Sequence, residues 1–249
     1  MPSGMQLWRH RLFARLSSSL PSSCALCGKS GENGICANCH SQFFSHRPNR
    51  CRQCANVLPY SPAVSEKICG NCLKSPPAFD QTVVATDYAA PVDQLVLALK
   101  FGGNLALAQL FARLLSAEWL HLQNDAISPP SLLTVMPLGA QRLAERGFNQ
   151  AQEIARPLAR ALGIPLDPQL AIRIRETVPQ AMLPPKDRHK NVRKAFTVSP
   201  AAIDRIKGQH VGVIDDVMTT GETLGELAAT LKRFGARRVT NLVFARAPH

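Results

Sequence analysis

The run Val211-Gly-Val-Ile-Asp-Asp-Val-Met-Thr-Thr-Gly-Glu-Thr223 sets two adjacent carboxylates ahead of a hydroxyl-rich glycine turn. Val211, Val213 and Ile214 suit a strand buried in a parallel sheet, where ligands collect beyond the carboxyl ends of strands. Asp215 and Asp216 stand at that end. Gly221 lets the backbone approach a ligand, Thr219, Thr220 and Thr223 supply hydroxyl donors, and a helix opening there offers unpaired N–H groups. Such a turn holds an anion. Carboxylates beside a phosphate repel it unless they address something else, and ribose hydroxyls, helped by Mg²⁺, suit them. A ribose 5-phosphate satisfies both halves. The plain alternative is an ordinary strand-to-helix turn with solvated acids. Glu222 suits the helix dipole but adds negative charge beside the phosphate.

The second constellation is made of thiols. All eight cysteines precede residue 73, in four Cys-x-x-Cys pairs: Cys24/Cys27, Cys36/Cys39, Cys51/Cys54 and Cys69/Cys72. Each pair presents two thiolates from a tight knuckle, and two pairs complete a tetrahedral zinc site. Sequential pairing gives one structural zinc on Cys24, Cys27, Cys36 and Cys39 and another on Cys51, Cys54, Cys69 and Cys72; interleaved pairing stays open. A disulfide scaffold would need an oxidising compartment, and Met1–Leu20 lacks the apolar core of a secretory signal. Residues 1–75 hold few large apolar groups, so metal binding supplies folding free energy that burial does not.

Charge and length frame these sites. The 249 residues carry a formal charge of +12, with nine basic and two acidic residues in 1–75 against 20 and 15 in 76–249. The asymmetry favours an anionic partner for the N-terminal part. Eight thiolates and two Zn²⁺ would lower that part to about +3, which weakens the inference of nucleic-acid binding. Residues 1–20 form an amphipathic segment with Leu7, Trp8, Leu12, Phe13 and Leu16 at helical spacing. A transit peptide shares this composition, and a docking helix leading into the zinc module is the preferred reading. No segment is long and apolar enough to span a membrane, so a cytoplasmic setting is expected.

The elements that must position the acids and cations alternate in type. Gln81–Tyr88 reads as a strand, Val92–Leu99 and Leu105–Leu120 as helices, Ser131–Met136 as a strand and Phe148–Leu162 as a helix. Pro165–Phe196 lacks clear periodicity and reads as a mobile basic loop. Strand, helix and strand resume at Val211–Asp215, Thr223–Phe234 and Val239–Ala245. The order predicts an α/β domain over 76–249, built on a doubly wound parallel sheet, after a double zinc module over 21–75.

The Asp-Asp/Thr-Thr-Gly run resembles the ribosyl-phosphate signature of type I phosphoribosyltransferases, which bind 5-phosphoribosyl 1-pyrophosphate (PRPP). Lys100-Phe-Gly-Gly-Asn104, Met136-Pro-Leu138, Arg142 with Arg146-Gly-Phe-Asn-Gln150, Arg173 through Thr177 to Gln180, and Arg188-His-Lys-Asn191 ahead of Phe196 extend the likeness. With the cysteine pairs, they make residues 20–247 similar to the ComF family, in its GntX/YhgH-like branch, where a zinc ribbon precedes a type I phosphoribosyltransferase-like domain. The resemblance implies a role in natural competence and DNA utilisation, with internalised single-stranded DNA and DNA-uptake or recombination proteins as partners. It leaves open whether turnover occurs and which acceptor a nucleotide-salvage transferase would use. In a transfer, displacement at the anomeric carbon passes through an oxocarbenium-like state while pyrophosphate leaves. Arg142, Arg146 and Lys100 are the candidates for the pyrophosphate side, and Arg188 for covering the site from the basic loop.

Overall fold

The computed structural model describes residues 22–32, 34–59, 68–123, 128–175 and 192–248. The chain divides into two compact units, Met1–His46 and Arg47–His249. In the first, β1 (Ser22–Ser23) pairs antiparallel with β2 (Ser30–Gly31), and α1 (Ala37–Phe44) follows. The second opens on the Cys51–Cys54 knuckle and α2 (Gly70–Lys74). It continues through β3 (Gln81–Asp87), α3 (Val92–Phe101), α4 (Ala106–Gln123), β4 (Leu132–Val135), α5 (Ala140–Arg146), α6 (Gln150–Leu162), β5 (Ala171–Arg173) and β6 (Phe196–Val198). A short α7 (Ile203–Ile206), β7 (His210–Met218), α8 (Glu222–Arg233) and β8 (Arg238–Arg246) complete it. By packing, the second cysteine group therefore goes with the sheet. An Arg50–Asp87 ion pair of 2.9 Å and a bond from Thr82 N–H to the Arg52 carbonyl at 3.0 Å hold it there.

β3, β8, β7 and β4 form a parallel sheet in that order. β7 and β8 are buried almost residue by residue, the pattern of strands covered on both faces. α4 packs on β3 and β8, α6 on β7 and β4, and α4 on α6, while α8 packs on β8 and β6. Leu99, Phe111, Leu115, Trp119, Leu133, Ile154, Leu158, Ile214 and Phe244 are buried between these layers. Removing each such side chain from water contributes about 1.5–3 kcal/mol.

Register decides where the sheet opens. β4 follows β7 only as far as Val135↔Ile214, whereas β8 follows it to Arg246↔Met218. One flank of β7 is thus released at Asp215. The carboxylates lie inside a strand that runs to Met218, two residues beyond the acids, and not at its last residues as the sequence suggests.

Two other elements differ from expectation. The helix predicted over Phe148–Leu162 is α6, which Asn149 caps by accepting from Ala151 N–H at 3.0 Å, but an unpredicted helix, α5, precedes it and ends at Gly147, at φ +77°. The side-chain amide of Asn149 also donates to the Met136 carbonyl at 3.1 Å, tying the start of α6 to the exit of β4. Within the span read as an aperiodic loop, β5 and β6 pair antiparallel. Residues 176–191 of that span, with Gln180, Arg188 and Asn191, lie outside the described residues, as does the amphipathic segment 1–20.

Candidate functional site

At the open flank of β7, Asp216 is 3% exposed. Its Oδ1 accepts from Val217 N–H at 2.7 Å, and Asp215 Oδ1 accepts from Asp216 N–H at 2.9 Å. Lys100 Nζ, from the last turn of α3, reaches Asp216 Oδ2 at 3.0 Å. That approach lacks hydrogen-bonding geometry, so Oδ2 is charge-compensated yet carries no hydrogen bond. Asp215 keeps some surface, but desolvation and then the Asp216 carboxylate push its carboxyl up to about 8, against the pull of Lys100. A buried acceptor without a donor, beside an acid held partly protonated, suits an incoming hydroxyl or cation.

The cations converge from two helices. Burial pulls the Arg146 guanidinium down, Asp216 pulls it back up, and Arg142 pushes it down again. Arg146 of α5 thus feels the Asp216 carboxylate that Lys100 approaches from α3, and Arg142, one turn earlier on α5, acts on Arg146. Of the four cations chosen from the sequence, Lys100 and Arg146 act on Asp216, Arg142 acts on Arg146, and Arg188 lies outside the described residues.

The turn after β7 has the backbone an anion needs. Gly221 caps α8 at φ +87°, a conformation that favours glycine, and a Cβ there would stand 2.6 Å from Met218 Cε, which would have to move aside. Thr219 is exposed, and Thr220 Oγ1 accepts from Glu222 N–H at 3.4 Å. Thr223 stands in the first turn of α8, so three hydroxyls lie within five residues at the N-terminus of a 12-residue helix.

Arg246 supports this turn, a role invisible in the sequence, where it ends the apolar run of β8. It is 2% exposed. Nη1 donates to the carbonyls of Met218 at 3.3 Å and of Thr219, and to Ala247 at 2.6 Å, while Nε donates to the Cys54 carbonyl at 2.9 Å. Burial pulls its guanidinium down and the Cys54 sulfur pulls it up. A cavity of about 430 Å³ lies on this side, with Cys54, Cys69, Phe79, Gly221, Glu222 and Arg246 in its walls. Neither acid lines it.

The two cysteine groups share one local design. In each, the ligand atoms lie within 4.8 Å of one another, and the grouping is sequential. The third cysteine caps a helix: Cys36 precedes α1 and Cys69 precedes α2. Gly28, at φ +73°, closes the first knuckle by donating to the Cys24 carbonyl at 2.9 Å, and Ala55, at φ +57°, closes the second by donating to the Cys51 carbonyl at 2.8 Å. In the second group, a hydrogen bond from Cys54 pulls the Cys51 thiol down to about 4, and the same contact pushes Cys54 above its ordinary range. Four thiols this close cannot all ionise without a cation among them, and the two Cys₄ clusters fit Zn²⁺. No described helix is long and apolar enough to cross a membrane.

Comparison with known proteins agrees with both constellations. A family model described as a double zinc ribbon domain matches residues 16–73, and one described as a phosphoribosyl transferase domain matches residues 143–249. The DNA utilization protein YhgH of Escherichia coli K12 is 34% identical over 225 residues, covering 89% of this chain and 95% of that protein. Competence protein F of Haemophilus influenzae Rd is 31% identical over 217 residues, covering 87% and 92%. Among solved structures, the glutamine PRPP amidotransferase of B. subtilis, complexed with ADP and GMP, is 20% identical with a TM-score of 0.35. That match covers 54% of this chain and 25% of the other.

Proposed function

Because this chain belongs to the ComF family, that of competence protein F and YhgH, we propose that its phosphoribosyltransferase domain binds PRPP with Mg²⁺ and serves DNA utilisation in the cytoplasm. The observation that carries the reading is the buried Asp216 Oδ2, which has a cation at 3.0 Å but no hydrogen-bond donor, beside a glycine-capped turn of three threonines. The acids take the ribose 2- and 3-hydroxyls, and the Thr219–Thr223 turn takes the 5-phosphate. Lys100, Arg142 and Arg146 face the pyrophosphate. When bound, Mg²⁺ spreads the charge of the leaving pyrophosphate, with Asp215 and Asp216 nearest to hold it. Arg188 is proposed to cover the site from the basic loop.

Titration of zinc-loaded protein with PRPP and Mg²⁺ by calorimetry tests this. Saturable binding that disappears in the Asp215→Asn/Asp216→Asn double variant supports the site. No binding by folded protein overturns it.

The names of the relatives favour a second activity, the handling of internalised single-stranded DNA. Oligonucleotide anisotropy that falls steeply with salt is the expected result, since phosphate contacts release counterions. Binding insensitive to salt counts against it.

A further inference from the structure

The buried Arg246 side chain gives its hydrogen bonds to backbone carbonyls from two distant parts of the chain. Nε donates to Cys54, whose sulfur belongs to the second cysteine group and lies 3.6 Å from that of Cys69. Nη1 donates to Met218 and Thr219, where β7 passes into the anion turn. A guanidinium is planar and rigid, so one side chain fixes both ends of this bridge.

The bridge acts on the atoms that would meet a phosphate. In a trans peptide the carbonyl and the N–H that follows it share a plane and point opposite ways. Holding the Met218 carbonyl therefore sets the N–H of Thr219, and holding the Thr219 carbonyl sets that of Thr220. Both donors are turned away from the guanidinium, as an anion bound by backbone N–H groups requires. A second contact runs the same way. Phe79, buried and shortly after Cys72 in the chain, places its Cζ 3.6 Å from where a Cβ on Gly221 would stand. Cys54, Cys69, Phe79, Thr220 and Gly221 line one cavity, so the second cysteine group and the turn face a common volume.

We propose that Arg246 is a positioning residue through which zinc occupancy of the second cysteine group and ribosyl-phosphate binding at the turn raise each other's affinity. A metal-filled group holds the knuckle and with it the Cys54 carbonyl. Without that anchor the guanidinium keeps only the turn end of its bridge, and the Thr219 and Thr220 N–H groups lose their fixed aim. Linkage makes the effect mutual. The second group is then a regulatory metal site as well as a structural one. This inference rests on the ribosyl-phosphate reading above.

The test measures zinc affinity of the full-length protein at equilibrium, by competition with a chromophoric chelator, with and without saturating ribose 5-phosphate. Wild type is compared with Arg246→Lys, which keeps the buried charge but not the fork that reaches both ends. Cys24→Ser/Cys27→Ser, with only the second group left to fill, assigns the two zinc ions. Ribose 5-phosphate is expected to tighten zinc at the second group about tenfold and to leave the first unchanged, and the tightening is lost in Arg246→Lys. Equal tightening at both groups, or tightening that persists in Arg246→Lys, comes from general stability and overturns the role of Arg246. No tightening in the wild type, with ribose 5-phosphate shown to bind by calorimetry, overturns the coupling and leaves the sugar-phosphate site intact. Absence of ribose 5-phosphate binding overturns the site and the coupling together.

Discussion

Arg246 donates from Nε to the carbonyl of Cys54 at 2.9 Å, joining residues 192 positions apart in the chain. The same guanidinium holds the carbonyls of Met218 and Thr219, so one buried cation links a cysteine knuckle to the proposed phosphate turn. Its positive charge also sits against a cluster that, with Zn²⁺ on four thiolates, carries a net −2. The second cysteine group is thereby a support for the turn as well as a fold element.

Replacing Arg246 with Gln strands those carbonyls in a buried setting. We expect a loss of about 3–5 kcal/mol of stability by urea unfolding, with faster amide exchange concentrated at Met218–Gly221. Equal exchange across the sheet and the turn would argue against a local supporting role.

The two cysteine groups should differ in what their loss does. Cys51→Ser/Cys54→Ser removes one zinc by metal analysis and lowers the melting temperature of the Arg47–His249 unit, because that group packs within it. Cys24→Ser/Cys27→Ser also removes one zinc, but leaves the melting of the sheet unit within a degree or two. Equal effects on the sheet unit would mean that its stability does not depend on which group is intact.

Ligand affinity should depend on pH through Asp215. Its carboxyl is raised to about 8, with Asp216 and Lys100 acting on it, so below that pH it carries a proton that Mg²⁺ or a ribose contact must displace. PRPP affinity in the presence of Mg²⁺ is expected to rise with pH by at most tenfold per unit up to about 8, then level off. Calorimetry in buffers of different ionisation enthalpy should show proton release below pH 8. A flat profile with no release contradicts this.

His210 gives a dependence of the same sign for stability, over a lower range of pH. Desolvation, with Arg238 nearby, pulls its imidazole down to about 4, and Nε2 pairs with Thr240 Oγ1 at 2.8 Å. The unfolded chain binds the proton near 6.5, so the stabilisation is fully present above that pH and lost as pH falls toward 4. The loss is on the order of 3 kcal/mol. Urea unfolding of His210→Gln against the wild type between pH 7 and 4.5 should show a shallower acid slope in the variant. Parallel slopes would assign the acid sensitivity elsewhere.

The features legible in the sequence are those encoded within one short segment. Four Cys-x-x-Cys spacings specify knuckles because two thiolates three residues apart share a turn. An apolar run followed by Asp215, Asp216 and Thr219–Thr223 specifies strand, acids, anion turn and helix because each piece sits next to the one it positions. Even here local reading stopped short: nothing in the sequence marked β7 as continuing past the acids to Met218. That length comes from pairing with β8, while β4 lets go at Ile214. The break between α5 and α6 was available in Gly147 and Asn149, a helix stop followed by a cap.

Tertiary structure alone decided the long-range meetings. Lys100 reaches Asp216, Arg146 covers Phe101, and Arg246 reaches Cys54 because the parallel sheet brings separate elements to one edge. A lone arginine ending an apolar strand, or a phenylalanine ending a helix, carries no local mark of such a partner. A side chain's periodicity reports which face it occupies, whereas its partner is set by strand order and register, which no window of neighbouring residues contains.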